Sequence, residues 1–201
     1  VAFYDNTTGY DNTGVGQKTQ FSATTGHSNT SVGDATYFNL TTGTYNTAVG
    51  GSAGNNHTTG SRNTTIGYRA GYDIRDDSDN TCVGKEAGEN VQADQNTMLG
   101  TQAGNTTTTG ANNICIGYDA EASSATVSNE ITLGNASITS LRIPGLQSGA
   151  SDGQVLTFNS SNGNITLADA SGGATEINGL SDAVTRSSGS SIGLGTGALD
   201  A

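Results

Sequence analysis

The chain has no tryptophan, one proline, one methionine and two cysteines in 201 residues. Leu, Ile, Val and Phe together supply 33 residues. That is less than a fifth of the chain, the level at which disorder competes with a packed core. A large enzyme core is hard to build from such an inventory. Positive charge is scarce too: 7 Lys and Arg face 18 Asp and Glu, giving a net charge of −11. Without a basic field to gather phosphates, no nucleic acid is expected as a partner. No run of eighteen apolar residues exists, so no membrane insertion is expected. Two cysteines do not set a redox compartment. The chain starts at Val1 and carries no leader pattern, and we expect it to be a piece of something longer.

Small and polar residues are abundant instead. Thr, Gly, Ser and Asn number 31, 30, 21 and 20, and their order excludes the disordered alternative. The string Asn-Thr-x-aliphatic-Gly recurs from Asn12 to Gly16 and onward to degenerate copies at 113–117 and 130–134. Its closing glycines are Gly16, Gly33, Gly50, Gly67, Gly84, Gly100, Gly117 and Gly134. Six of the seven intervals are 17 residues and one is 16. The residue before each glycine is Val15, Val32, Val49, Ile66, Val83, Leu99, Ile116 or Leu133, and a small residue follows three positions on. A fixed period over so many copies marks a solenoid.

Seventeen residues are too few for a helical repeat and suit one coil of a parallel β-roll, with two short strands and two turns. Thr and the aliphatic residue are two apart and share a strand face, while the small residue between them faces the other way. One large aliphatic residue per coil does not close a core, which implies lateral association, with the eight aliphatic positions packing between chains. The glycines serve turns or close backbone approach. Asn at the coil corner can bond neighbouring backbone or form a ladder. Thr pairs such as Thr24-Thr25 and Thr41-Thr42 keep the period and are expected to stack.

The repeat fades after Gly134. Pro144-Gly145 punctuates the chain. Residues 154–158 and 164–167 then flank Asn162-Gly163 as a β-hairpin, and residues 176–185 could form a short helix. Leu194, Gly195 and Ala198 restore the aliphatic, Gly and small positions. The expected organisation is a roll at 1–140, a connector at 141–190 and the start of a second roll at 191–201.

Signs of chemistry are few. Asp73, Asp76, Asp77 and Asp79 are the densest acidic cluster and the only weak candidates for a metal, here a hard cation. Their spacing is not that of a calcium loop, and a solvated loop is the plainer expectation. His27 and His57 are expected at the surface, and Cys82 and Cys115 as small buried side chains too far apart for a disulfide. No cofactor, no catalytic set and no acidic pair repeated on adjacent coils is expected.

Asn46-Thr-Ala-Val-Gly50 with Ala53, and its sibling coils, resembles the left-handed parallel β-roll repeat in the head of YadA-like trimeric autotransporter adhesins. The period of 17 and the frequent Thr depart from that family's pattern. Residues 128–142 look like phage and giant-virus fibre proteins. The resemblance implies a parallel homotrimer in which the repeat aliphatics serve packing. Loops and exposed Tyr4, Tyr10, Tyr45, Tyr68, Tyr72 and Tyr118 would then touch a host surface glycan or protein, and other virion fibre or baseplate proteins would be neighbours. The leading expectation is a non-enzymatic segment of an extracellular viral tail fibre acting in host attachment. The alternatives are a bacterial surface adhesin head, a Thr-ladder ice-binding solenoid and a glycan-processing tailspike.

Overall fold

The computed structural model describes residues 1–143 and the backbone of two further strands. The chain divides into two units, Val1–Thr139 and Ser140–Ala201. The first is an all-β parallel solenoid. Each coil contributes one three-residue strand, from β1 (Thr13–Val15), β2 (Thr30–Val32), β3 (Thr47–Val49) and β4 (Thr64–Ile66) to β5 (Thr81–Val83), β6 (Thr97–Leu99), β7 (Ile114–Ile116) and β8 (Ile131–Leu133). They stack in chain order as one eight-stranded parallel sheet. The register is that of the repeat: Thr47 pairs with Thr64, Ala48 with Thr65 and Val49 with Ile66. The one-residue deletion before Gly100 leaves it intact, with Thr81 beside Thr97.

One strand per coil, not two, is a correction to the sequence reading. The remainder of the coil turns too often for a second strand. Non-glycine residues with positive φ recur in columns, among them Ser28, Tyr45, Arg62 and Asp79 on one corner and Ala35, Ser52, Arg69 and Glu86 on another. These left-handed residues bend the chain at fixed heights. Backbone bonds still pass from coil to coil there, as from Ser52 N–H to Asp34 C=O at 2.8 Å.

Asparagine locks the coils at the corner before each strand. The side-chain Oδ1 of Asn12, Asn29, Asn46, Asn63, Asn80, Asn96 and Asn113 accepts the backbone N–H of the equivalent residue one coil later, at 2.8–3.0 Å. In most coils Nδ2 donates onward to a carbonyl of that same later coil, as from Asn46 to Gly60 at 3.0 Å. Asn80 and Asn96 instead turn Nδ2 back to Ser78, and to Ala93 and Asp94, of their own coils. In these coils Asp77 and Ala93 stand three before the corner asparagine, where earlier coils have Gly43 and Gly60, and the coil after Asn80 is the short one. Thr hydroxyls repeat the pattern on another side: Thr24 donates to Thr41 C=O and Thr41 to Thr58 C=O. The expected ladders are present.

The coil interior is fuller than the sequence suggested. The central strand residues Ser31, Ala48, Thr65, Cys82, Met98 and Cys115 are buried, as are Thr36, Ala53, Ala70, Ala87 and Ala103 three past the glycine. Two further columns complete the core. Four past the glycine stand Gln20 and Tyr37 and then Gly54, Gly71, Gly88 and Gly104, all with left-handed φ. Seven past it stand Ala23, Leu40, His57, Ile74, Val91 and Thr107, all buried. The columns compensate each other: a Cβ at Gly54 would collide with the ring of Tyr37, so the large side chain of one coil fills the space that glycine leaves in the next. The inner coils therefore do close a thin core of their own. Self-association is thus not needed to give these coils an interior.

In the second unit, β9 (Gln154–Phe158) and β10 (Ile165–Asp169) pair antiparallel, with Ile165 beside Phe158. The Asn162-Gly163 turn, the short helix at 176–185 and the second roll at 191–201 lie outside the described residues.

Candidate functional site

The outer face of the eight-stranded sheet runs the length of the stacked strands. Small residues of the strand centres point inward, so the flanking residues point out. They form two straight columns. One is Thr13, Thr30, Thr47, Thr64, Thr81 and Thr97, continued by Ile114 and Ile131. The other is the aliphatic column of the repeat, with Val32, Val49, Ile66, Leu99 and Ile116 at 37–44 % exposure and Val15 and Leu133 higher at the ends. Seven steps of roughly 4.8 Å make this stripe about 34 Å long. A row of half-exposed aliphatic side chains without polar interruption is unusual for a chain this polar.

Each margin of the stripe carries its own column. Five residues before the glycine stand Asp11, Ser28, Tyr45, Arg62, Asp79 and Gln95. One residue after it stand Gln17, Asp34, Gly51, Tyr68, Lys85 and Thr101. Arg62 holds Asp79 of the next coil through Nε at 2.6 Å and through a second nitrogen at 2.7 Å. That bidentate bond holds the Asp79 carboxyl below its ordinary value. Both margins were invisible as features in the sequence, because nothing but three-dimensional stacking aligns such dissimilar residues.

The aromatic residues form two short stacks in the first coils. Tyr4, Phe21 and Phe38 lie face to face at 4.8 and 5.1 Å. Tyr10 stacks on His27 at 4.5 Å, and Tyr45 meets the same ring edge-on. Tyr4, Tyr10, Tyr45, Tyr68 and Tyr118 are exposed as expected. Tyr72 is only half-buried, with the Arg69 guanidinium 4.0 Å over its ring.

The acidic loop differs from expectation in two ways. Its charges are not left to solvent. Asp73 accepts from Arg75 at 3.1 Å, Asn56 at 3.0 Å and Gln92 at 2.6 Å. Asp76 accepts from Thr58 and Thr59, and those hydroxyls pull its carboxyl below the ordinary value. Asp79 belongs to Arg62. The coil period places three cationic or hydroxyl partners, Thr58, Thr59 and Arg62, one turn away, which linear spacing hid. The second difference is an acidic pair on adjacent coils. Burial pushes the Asp77 carboxyl up, and the negative charges of Asp94 and Asp76 push it further. Asp94 in turn accepts the Ser78 N–H at 2.7 Å. Among the described residues no group of three or more His, Cys, Asp or Glu is arranged to hold a metal ion.

His57 is the other correction. It is fully buried, not at the surface, in the column otherwise filled by Leu40, Ile74 and Val91. Its ring meets Tyr37 edge-on at 5.2 Å. Its Nε2 lies 3.2 Å from Asn63 Nδ2. An amide nitrogen can only donate, so this contact is a hydrogen bond only when Nε2 carries no proton. Burial lowers its pKa from 6.5 to about 4. Cys82 and Cys115 are buried free thiols in one column, and burial pushes the Cys82 thiol up to about 12.

Comparisons with family models, with curated proteins and with solved structures find no match for this chain.

Proposed function

We propose that this chain is a structural and adhesive segment of a homotrimeric extracellular fibre, most naturally a viral tail fibre, that spaces or presents a host-attachment tip. A bacterial adhesin head would use the same physics. The observation that carries the reading is the aliphatic stripe: a column from Val15 to Leu133 at the surface of a solenoid that already fills its own interior. Burying it against copies of itself removes this apolar area from water, at roughly 25 cal/mol per Å². Stacked coils give a stiff rod, and three parallel copies would offer every loop in triplicate, so that weak contacts with a glycan or protein add by avidity. No catalytic step is assigned.

The test is sedimentation equilibrium of the chain beside Val49→Asp. The native chain should be a trimer and the variant a folded monomer, since a charge there would be buried unpaired only in the assembly. A native monomer would remove the proposal. A cell-binding assay run with a glycan-hydrolysis assay covers the tailspike alternative. Turnover by the native chain that Asp77→Asn abolishes would replace the structural reading with an enzymatic one.

The strand threonines favour a second reading. Six of them stand in register beside the aliphatic column, a regular flat array able to order water. Thermal hysteresis from a monomeric chain would favour this ice-binding role.

A further inference from the structure

The two columns that border the stripe are chemically complementary when copies of the chain lie side by side. In any closed ring of parallel rods, one margin of each rod faces the opposite margin of the next. The column containing Arg62 and Asp79 therefore meets the column containing Tyr68 and Lys85. Coil height then decides which residues oppose one another, because all eight strands are in strict register.

With no stagger, Asp79 faces Lys85, Arg62 faces Tyr68 and Tyr45 faces Gly51. The first is an ion pair, the second a cation on an aromatic ring, and the third a large side chain against a glycine. Lys85 and Arg62 are each more than half exposed at the side chain and so within reach of a neighbour. Shifting the neighbour by one coil in one direction sets Arg62 against Lys85 and Asp11 against Asp34, two like-charge contacts. Shifting it in the other direction sets Asp79 against Tyr68 and Lys85 against Gln95, with no ion pair.

We infer that the partner of this stripe is a second copy of the chain, parallel and without stagger, its register read by Asp79 against Lys85, Arg62 against Tyr68 and Tyr45 against Gly51. This rests on the self-association proposed above and adds what aligns it. The aliphatic stripe repeats nearly the same contact at every coil, so slippage by one coil costs it only one end contact. The charged and aromatic margins are what distinguish one register from the next.

A double-mutant cycle tests it. In an Arg62→Gln background, so that a lysine at position 79 meets no cation on its own chain, Lys85→Asp and Asp79→Lys are each compared with the combined exchange by sedimentation equilibrium. Each single change should weaken assembly about tenfold, and the exchange should recover most of that loss. Assembly with no recovery overturns the register but not the self-association, whereas a native chain that never assembles removes both. A second measurement needs no energetics. A short bismaleimide should join chains faster in Asp79→Cys/Lys85→Cys than in Tyr45→Cys/Lys85→Cys, whose sites would lie two coils apart. Equal or reversed rates overturn the inference. An antiparallel pair keeps the two columns on opposite margins and gives no faster link.

Discussion

Asn46 reaches its neighbouring coil twice: its Oδ1 accepts the Asn63 N–H at 2.9 Å and its Nδ2 donates to the Gly60 carbonyl at 3.0 Å. Both contacts are buried. Asn46→Ala leaves two backbone groups without partners and should cost about 2–4 kcal/mol, at roughly 1–3 kcal/mol for each orphaned group. Asn80 makes only the first of these contacts across coils, so Asn80→Ala should cost about half as much. Urea unfolding of the two variants against the native chain measures the difference, and equal losses would show that the onward amide bond contributes nothing.

Gly50 and Gly51 are adjacent and should respond in opposite ways. Gly50 has φ of +125°, and a Cβ there would lie 2.6 Å from the Gly67 carbonyl oxygen. Gly51 needs no unusual φ, and its Cβ would touch the Tyr68 ring at an ordinary 3.5 Å. Gly50→Ala should lower stability by about 3 kcal/mol or prevent folding, and Gly51→Ala should stay within about 1 kcal/mol of the native chain. Circular dichroism melts of both variants decide this.

His57 should make stability depend on pH. Its folded pKa of about 4 lies below the ordinary 6.5, so the unfolded chain binds the proton more tightly. Its stabilising contribution is complete above pH 6.5, falls as pH drops through that window, and is gone below about pH 4. The total is on the order of 3 kcal/mol. His57→Leu, matching Leu40 one coil earlier, should flatten the curve between pH 4 and 6.5. Urea titrations at several pH values would show an unchanged slope if other groups are responsible.

Cys82 should be inert while the roll is folded. With no exposure and a thiol pushed up to about 12, it offers almost no thiolate at neutral pH. A thiol reagent should therefore label the chain only as it unfolds, and immediate labelling of Cys82 in buffer would contradict the burial.

Much of the roll was legible because its rules are local and repeated. The closing glycines, the corner asparagines and the alternation across Thr-x-aliphatic each announce themselves once per period. The inner columns were harder to see. The core position seven past the glycine is Ala23, Leu40, His57, Ile74, Val91 and Thr107, with no shared residue type, because what must be conserved is the joint volume with its neighbour across Gly54 or Tyr37. His57 was misjudged for that reason: a lone histidine carries no sign that its neighbours above and below are aliphatic. The same blindness hid the pairing of Arg62 with Asp79, since partners 17 residues apart look unrelated until the chain is wound.

The asparagine ladder has a direction, because each Oδ1 accepts the backbone N–H of the coil that follows it. A finished coil thus displays a free acceptor and a free donor at its growing end, a template on which the next coil can be laid as it is synthesised. Under tension along the rod, the same polarity concentrates failure where the template is thinnest. That seam falls at Asn80 and Asn96, which grip the following coil by one bond rather than two. A pulled solenoid should part there first, leaving the coils on either side wound.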